Sequence, residues 1–454
     1  MVRGFLGILL PLLFCRLIPD GSALVLLGCA VYALRGSRQT IEAFAITFIM
    51  LMASSAWIAG GKVNDLRWLV LICGAFSMFR EWGSGAKLPR HVSRLVGFIC
   101  VFCVIQVLIN VNFSQYPAVS GLKLISFGLG SCTLLVTMTK SGRDCQQWVE
   151  WFAGWFAGLI LAGGLCLLWG GGYLTNGTGF EGAFSHPQAN GVVMGVGGAL
   201  MLGQYLLAKS GRGIYGIIGL LCLLCIFMSQ SRTGGFAMIL SGGLMTALLW
   251  LKYKSRLAQT RLFKRSLITG FIVILGIFLL PSQVGSMMEE YVSKGKELEG
   301  GVSEVFTQSR QSLVDLSMAN YAEQPVFGIG FGVPSSPFFQ IKTVMGIPLG
   351  ASVEKGFLPT AVLEETGLVG AILVSALIIR IFASQLEGGH PTLLWATGAA
   401  ITMNLGEAMF FSIGGLGLFV WLMIALAIAC PKGAARPKKR LKQRKTASPA
   451  PAHS

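Results

Sequence analysis

Charged residues are scarce in this chain. Only 12% of its 454 residues are Asp, Glu, Lys or Arg, against roughly 25% in an ordinary soluble protein, and 54% are hydrophobic. So few polar residues cannot cover the apolar surface of a chain this long, so a lipid bilayer must cover it instead. The composition therefore excludes a soluble enzyme, a secreted disulfide scaffold and a disordered protein.

Apolar segments recur along the whole chain and predict an all-α, polytopic integral membrane protein. About fourteen of them, some short for the roughly 30 Å of bilayer hydrocarbon, are candidate spans, so we expect about 12–14 transmembrane helices and one large extracytoplasmic loop. The predicted divisions are N-terminal spans without motifs (1–140), spans with motifs (141–281), the large loop (282–358), C-terminal spans (359–430) and a basic, disordered cytoplasmic tail (431–454).

Acidic residues are fewer than basic ones, 19 against 36, and the formal net charge is +17. With a cytoplasmic N-terminus, most Lys and Arg residues fall on inner loops and in the tail, as the positive-inside rule requires. The basic excess is therefore a topology signal. We expect membrane lipids as partners and no nucleic acid.

The remaining polar residues collect on the predicted outer side. The loop 282–358 is mildly acidic and predicts a helix from about Ser303 to Ala322, ended by the glycine-rich residues 328–332. Arg232 lies in a short turn between two spans, where an unpaired charge is costly, and is therefore a functional candidate. The alternative for Arg232 is an interfacial side chain that reaches headgroup phosphates.

Histidine is scarce too, with four residues in the chain. His91 and His390 fall on predicted inner loops and His453 lies in the tail, so only His186 is available for chemistry on the outer face. The alternative for His186 is a buried, hydrogen-bonded residue in the turn before a proline.

Four short motifs resemble the O-antigen ligase and polymerase superfamily of bacterial envelope glycan assembly. FEGAFSHPQANG is similar to its G-x-F-x-H/N-P-N segment, and SQSRTG to its Ser-Arg-Thr/Ser-Gly turn. Arg310 followed by PVFGIGFG is similar to its R…P-x-x-G-x-G, and LEETGLVGAIL to its E-x-G-x-x-G. The motifs follow in the family's order around one outer loop, and the first 140 residues carry none.

This resemblance implies a glycosyltransferase in the bacterial inner membrane, with its active site on the extracytoplasmic side. Such proteins move a glycan from a polyprenyl (undecaprenyl) pyrophosphate onto a hydroxyl of a glycan, lipid or protein, with no cofactor and no metal. The implied partners are the polyprenyl-pyrophosphate-linked glycan and an acceptor glycan or lipid, with polysaccharide export machinery as a further candidate.

The chemistry of a pyrophosphate leaving group indicates which cations would bind the donor. Developing negative charge requires fixed positive charge, and a guanidinium group binds phosphate oxygens in bidentate fashion. We predict Arg232 and Arg310 as substrate-binding residues and Lys355 as a third. The sixth candidate span, which carries Lys123 on the outer side, is predicted to line the lipid-carrier cavity, and Glu407 is an intramembrane acid on the same side.

The acceptor hydroxyl requires a base or an oriented hydrogen-bond acceptor. The ligases carry a His-Asn pair shortly before E-x-G, whereas residues 353–358 here contain no histidine. We therefore predict Glu354 as the base, with Glu365 next and His186 as a further catalytic candidate. The missing histidine favours the exopolysaccharide or O-antigen polymerase branch, or another ligase-like member, over a lipid A-core ligase. The alternatives are a solvated Glu354–Lys355 pair and a Glu365 that complements the helix dipole.

Two other functions fit the same composition. A transporter or lipid flippase also has many spans, but such folds often contain repeated halves with broken helices, and the sequence contains no such duplication. A non-catalytic component of a polysaccharide export system is the second alternative, and the missing histidine favours it.

Overall fold

The computed structural model describes residues 1–60, 64–85, 87–169, 171–174, 179–207, 212–257, 311–336, 341–344, 347–351 and 355–430. The predicted span 266–281, the tail from 431 onward and two predicted site residues, Arg310 and Glu354, lie outside these ranges.

The described part of the chain is built almost entirely from helices. They are α1 (Val2–Leu17), α2 (Gly21–Ala33), α3 (Ser37–Met52), α4 (Arg67–Gly83), α5 (Arg90–Phe113), α6 (Pro117–Lys140), α7 (Cys145–Leu168), α8 (Pro187–Leu207), α9 (Arg212–Met228), α10 (Arg232–Leu257), α11 (Gln311–Glu323), α12 (Leu358–Gly388), α13 (Leu394–Thr402) and α14 (Leu416–Ala429). In those same ranges the strands are β1 (Ile341–Val344) and β2 (Ile347–Ala351), which form one antiparallel hairpin.

Four of the described helices, α5, α6, α7 and α12, are long and apolar enough to cross a bilayer. Exposed apolar side chains on α5, such as Val101, Val104 and Leu108, are more than half exposed, as expected where lipid covers a helix. The prediction of a helical membrane protein is therefore confirmed at this level.

The core of the bundle surrounds α14, which is buried along nearly its whole length. Phe419 on α14 packs against Phe48 of α3 and Trp155 of α7, with ring centroids 5.4 Å and 5.9 Å away, and those two rings also contact each other, with centroids 6.2 Å apart. Glycines allow neighbouring helices to approach closely: a Cβ atom at Gly4 or at Gly154 would overlap the backbone of the facing helix. This close approach of backbones agrees with the high glycine content.

One end of the bundle, called the loop end here, gathers the residues 325–333 and the turns beside them. The amide of Gln115 donates to the carbonyl of Ile329 over 2.9 Å, and the amide of Phe180 donates to the carbonyl of Met228 over 3.0 Å. Residues 53–54, after α3, pair with residues 183–184. The turns after α3, α5, α7 and α9 are thus connected at this end, and the opposite end carries the starts of α1, α3 and α7.

Two of the apolar segments that are candidate spans, 391–410 and 360–384, are not continuous helices. The segment 391–410 is split, since 3-10 turns flank α13 and the chain bends at Asn404, whose side chain donates to Ala400 and accepts from the amide of Met409. The segment 360–384 lies in α12, but Gly367 interrupts it with non-helical angles (φ 60°, ψ −165°). The loop helix predicted at 303–322 is described from Gln311 onward, as α11.

Candidate functional site

The break in α12 is filled by the glycine-rich segment 325–330. The amides of Ile329 and Gly330 donate to the carbonyls of Glu364 and Glu365 over 2.9 Å and 3.1 Å. Beyond the break, the amides of Leu368 and Val369 donate back to the carbonyls of residues 325 and 326 over 2.9 Å and 3.2 Å. A broken helix within a membrane protein requires such partners for its freed backbone groups. The motifs PVFGIGFG and LEETGLVGAIL therefore form one unit, joined by backbone hydrogen bonds.

Gly367 cannot carry a side chain in this arrangement. Its φ of 60° is left-handed, and a Cβ atom there would overlap the carbonyl of Val326. We expect Gly367→Ala to lower the free energy of unfolding by about 1–3 kcal/mol, the usual cost of one strained backbone conformation. The measurement is thermal unfolding of the purified protein in detergent.

Gly97→Ala is the matched control, because Gly97 is an exposed helical residue on α5 with open space around its Cα. That substitution is expected to be neutral or to stabilise the protein by up to about 1 kcal/mol, the difference in helix propensity. Equal effects of the two substitutions would contradict the role assigned to the break.

The residues around the break bring three charged side chains together in the interior. The ammonium of Lys355 lies 2.9 Å from Glu364 Oε2 and 3.1 Å from Glu365 Oε1, and its side chain is 2% exposed. Glu364 is completely buried and also accepts hydrogen bonds from Ser317 (2.8 Å), Asn320 (2.6 Å) and Ser335 (3.0 Å). We call Lys355, Glu364 and Glu365 the charge cluster. Its burial is tolerable because each charge has partners of opposite sign or hydrogen-bond donors.

Glu365 differs from Glu364 because it reaches a cavity of about 340 Å³ at the loop end. Its Oε2 accepts a hydrogen bond from the amide of Gly332 over 2.7 Å, while Lys355 holds the other oxygen. Arg67 from the start of α4 and Lys123 from α6 also line the cavity, together with apolar residues such as Phe331 and Phe411. We call this space the Arg67–Lys123 cavity.

The backbone of Gly332 contacts both the Glu365 carboxylate and the Lys123 ammonium. Lys123 donates to the carbonyl of Gly332 over 2.6 Å, and a Cβ atom at Gly332 would overlap the Lys123 side chain. The same residue thus positions Glu365 through its amide and Lys123 through its carbonyl. The guanidinium of Arg67 lies beside Gly414, which also lines the cavity. The cavity therefore combines two cations with one oriented carboxylate.

Arg232 and Glu407 lie at the same end of the bundle. Arg232 is half-buried at the start of α10, and the next residue, Thr233, packs against Gly406. Beyond Glu407, the amide of Ala408 donates to the carbonyl of Lys355 over 3.1 Å. The turn that carries Arg232 is therefore linked to Lys355 of the charge cluster through residues 406–408.

His186 lies at the start of α8, where its Nδ1 accepts a hydrogen bond from the amide of Gln188 over 3.2 Å. The side chain is exposed, so the alternative of a buried turn histidine is wrong. His186 is not among the residues that line the Arg67–Lys123 cavity.

The structure assigns Lys355 a position that differs from the sequence prediction. It does not line the cavity, and its ammonium is enclosed by two carboxylates, so it has no free charge to offer a phosphate. The burial of Lys355 also contradicts the alternative of a solvated Glu354–Lys355 pair for this lysine. Glu365 makes specific side-chain contacts, with Lys355 and with Gly332, beyond any interaction with the helix dipole.

Arg67 was missed by sequence reasoning. A lone arginine at the end of an apolar segment ordinarily marks a membrane boundary, and nothing in its neighbourhood of the sequence distinguishes it. Ser317, Asn320 and Ser335 were missed because ordinary polar residues of a loop carry no motif. Only the fold brings them to Glu364.

This arrangement has a defined chemical capacity. Arg67 and Lys123 can bind an anionic group, and Glu365 can accept a hydrogen bond or a proton from a hydroxyl beside it. Within the described residues, no group of three His, Cys, Asp or Glu side chains is placed to hold a metal ion.

No known family model matches the chain, and no curated protein matches it significantly.

Proposed function

We propose that this protein is a membrane glycosyltransferase of the O-antigen ligase or polymerase type. It transfers or polymerises a glycan from a polyprenyl pyrophosphate onto a hydroxyl during exopolysaccharide or O-antigen biosynthesis. The observation that best supports the proposal is the joint presence of Arg67, Lys123 and Glu365 in one cavity, beside two of the motifs that resemble that superfamily.

In this proposal the two cations bind the donor's pyrophosphate. The acceptor oxygen forms a bond to the anomeric carbon of the donor sugar, the bond from that carbon to the phosphate oxygen breaks, and the polyprenyl pyrophosphate leaves with the electron pair. Glu365 takes the proton of the acceptor hydroxyl. Cations that the fold already holds in place stabilise the charge that develops on the leaving group without the cost of reorganising them.

Other charged residues have supporting roles in the proposal. Lys355 positions Glu365 and balances the charge of Glu364, in place of the phosphate-binding role predicted from the sequence. Arg232 approaches the donor from the neighbouring turn. Arg310 and Glu354 lie outside the described residues and stay predictions, as cation and base on the loop.

The proposed orientation puts the loop end on the extracytoplasmic side of the bacterial inner membrane. The opposite end carries the basic residues Arg3, Arg35, Arg38, Arg80 and Arg143, as the positive-inside rule requires of a cytoplasmic face. The proposed number of spans stays at about 12–14.

Reconstitution tests the proposal directly. Purified protein in liposomes, supplied with a polyprenyl-pyrophosphate-linked glycan from a cell that carries this protein, is expected to extend or transfer that glycan. Arg67→Gln and Lys123→Gln are each expected to lower the rate about 100–1,000-fold, as loss of one electrostatic stabiliser commonly does. Gel analysis of the labelled glycan measures the product.

Arg16→Gln is the matched control for these variants. Arg16 lies at the end of α1, where it donates to the carbonyl of Ala56 over 2.7 Å and stacks on Trp169, and it does not line the cavity. Its loss removes one positive charge from the same end and is expected to leave the rate unchanged. Full activity of both cavity variants would contradict the proposed site, and inactive wild-type protein with an intact donor would favour the non-catalytic export component.

A lipid-linked glycan transporter is the second candidate, because the broken helix α12 is a feature of many transporters. In transporters the freed backbone groups face the substrate, whereas here residues 325–330 take the freed groups of residues 364–365 and 368–369. Movement of a labelled lipid-linked glycan across the liposome membrane without any new glycosidic bond would favour the transporter.

A further inference from the structure

A second cavity, of about 510 Å³, lies at the opposite end of the bundle, between α1, α2, α3 and α7. It is separate from the Arg67–Lys123 cavity, with which it shares no lining residue. Arg3 and Arg38 line one part of it, and Leu6, Leu10 and Ile46 line another. We call it the Arg3–Arg38 groove.

The polar part of the groove carries an excess of positive charge. Glu42 accepts hydrogen bonds from Tyr32 (2.6 Å) and from Nε of Arg38 (3.1 Å), and Arg143 lies 2.9 Å from the same carboxylate. One carboxylate thus faces two guanidinium groups, and Arg3 adds a third on the groove wall. In the described part of the chain, Arg3 has no carboxylate within salt-bridge distance.

The arginines are placed to donate to a further anion. Arg38 uses Nε for Glu42, and its two terminal nitrogens make no hydrogen bond within the described ranges. Arg143 does not line the groove; it contacts the same carboxylate and stacks on Trp148, with its guanidinium carbon 4.7 Å from the ring centroid. Guanidinium groups that are held in place and still have free N–H groups suit a phosphate.

The apolar part of the groove continues away from these charges along α1. Leu6 and Leu10 lie on consecutive turns of that helix and are 41% and 57% exposed. From Arg3 to Leu10 the helix rises about 10 Å. A ligand along α1 would therefore contact charged side chains at the start of the helix and apolar side chains about two turns further along it. A free phosphate would use only the first part of such a site.

We propose that the Arg3–Arg38 groove binds an anionic phospholipid, with the headgroup phosphate on Arg3 and Arg38 and an acyl chain along Leu6 and Leu10. Basic pockets between helices near a membrane surface are the usual binding sites for anionic lipids. This site is independent of the proposed glycan transfer, because it lies at the other end of the bundle.

Native mass spectrometry of the delipidated full-length protein tests this site. Phosphatidylglycerol is expected to bind at least tenfold more tightly than phosphatidylcholine with the same acyl chains. Arg3→Gln is expected to weaken phosphatidylglycerol binding about fivefold, the effect of one basic residue near a lipid surface, and to weaken phosphatidylcholine binding less, because the choline cation offsets the charge of that lipid's phosphate. Glycerol phosphate is expected not to displace the lipid.

Arg35→Gln is the matched control, since Arg35 is exposed at the same end and does not line the groove. Arg3 is the residue to replace because no carboxylate of the described residues pairs with it, and its loss leaves the Glu42 contacts intact. Leu10→Ser is expected to weaken both lipids. Equal affinity for the two lipids, equal effects of Arg3→Gln and Arg35→Gln, or displacement by glycerol phosphate would each overturn the proposal.

Discussion

Glu365→Gln is expected to lower the rate of glycan transfer by about 10²–10⁴-fold, the usual contribution of a positioned general base. The amide keeps the size of the side chain and an oxygen that can accept from the Gly332 amide, while its NH2 group replaces the oxygen that contacts Lys355. What is lost is the ability to take a proton from the acceptor hydroxyl. The measurement is the single-turnover rate with a polyprenyl-pyrophosphate-linked donor.

Two controls separate this chemical effect from a structural one. Glu323→Gln removes an exposed carboxylate from the last turn of α11 and is expected to leave the rate unchanged. Donor binding to Glu365→Gln, measured without acceptor, is expected to stay within a few-fold of wild type, since Arg67 and Lys123 are untouched. A variant that binds the donor and transfers at the wild-type rate would remove Glu365 from the proposed mechanism.

The sequence predicts the helices well because each apolar segment carries its own signal. Ten of the described helices, α1 to α10, fall on the ten candidate spans up to residue 253. The break at Gly367 carries no such signal, because a single glycine in an apolar segment is compatible with a continuous helix. Only pairing with residues 325–330, some forty positions earlier, makes the interruption favourable.

The candidate site is predictable from the sequence only where a motif marks it. Glu365 belongs to the E-x-G motif, which predicts it as a catalytic candidate, and Lys123 is a charge within an apolar span that is expected to line a cavity. Arg67 and Gly332 depend on the packing of α4 and α6 against the loop, which local patterns do not encode. The burial of Lys355 likewise depends on distant residues, since Glu364 and Glu365 come to it only through the fold.

The charge cluster also connects the fold of the loop end to its chemistry. Ser317 and Asn320 on α11 donate to Glu364, so the loop helix is held to α12 through a buried carboxylate. Lys355 shares its ammonium between that carboxylate and Glu365. The position of the proposed base therefore depends on the same residues that attach the loop to the bundle.

Lys355→Met is accordingly expected to destabilise the protein by about 3–5 kcal/mol, the usual cost of leaving a buried charge without its partner. Methionine fills a similar volume, but two carboxylates would then face each other with no cation between them. Thermal unfolding in detergent measures the loss, and Lys87→Met is the control, because Lys87 is exposed on the loop between α4 and α5.

A second substitution tests the cause of that loss. Glu364→Gln in the Lys355→Met background removes one of the two buried charges, while the amide can still bond to Asn320 and the two serines. The double variant is expected to recover part of the stability, with a coupling energy of about 0.5–3 kcal/mol between the two positions. If the two effects simply add, the ammonium of Lys355 does not compensate Glu364, and the charge cluster is not what fixes Glu365 at the cavity.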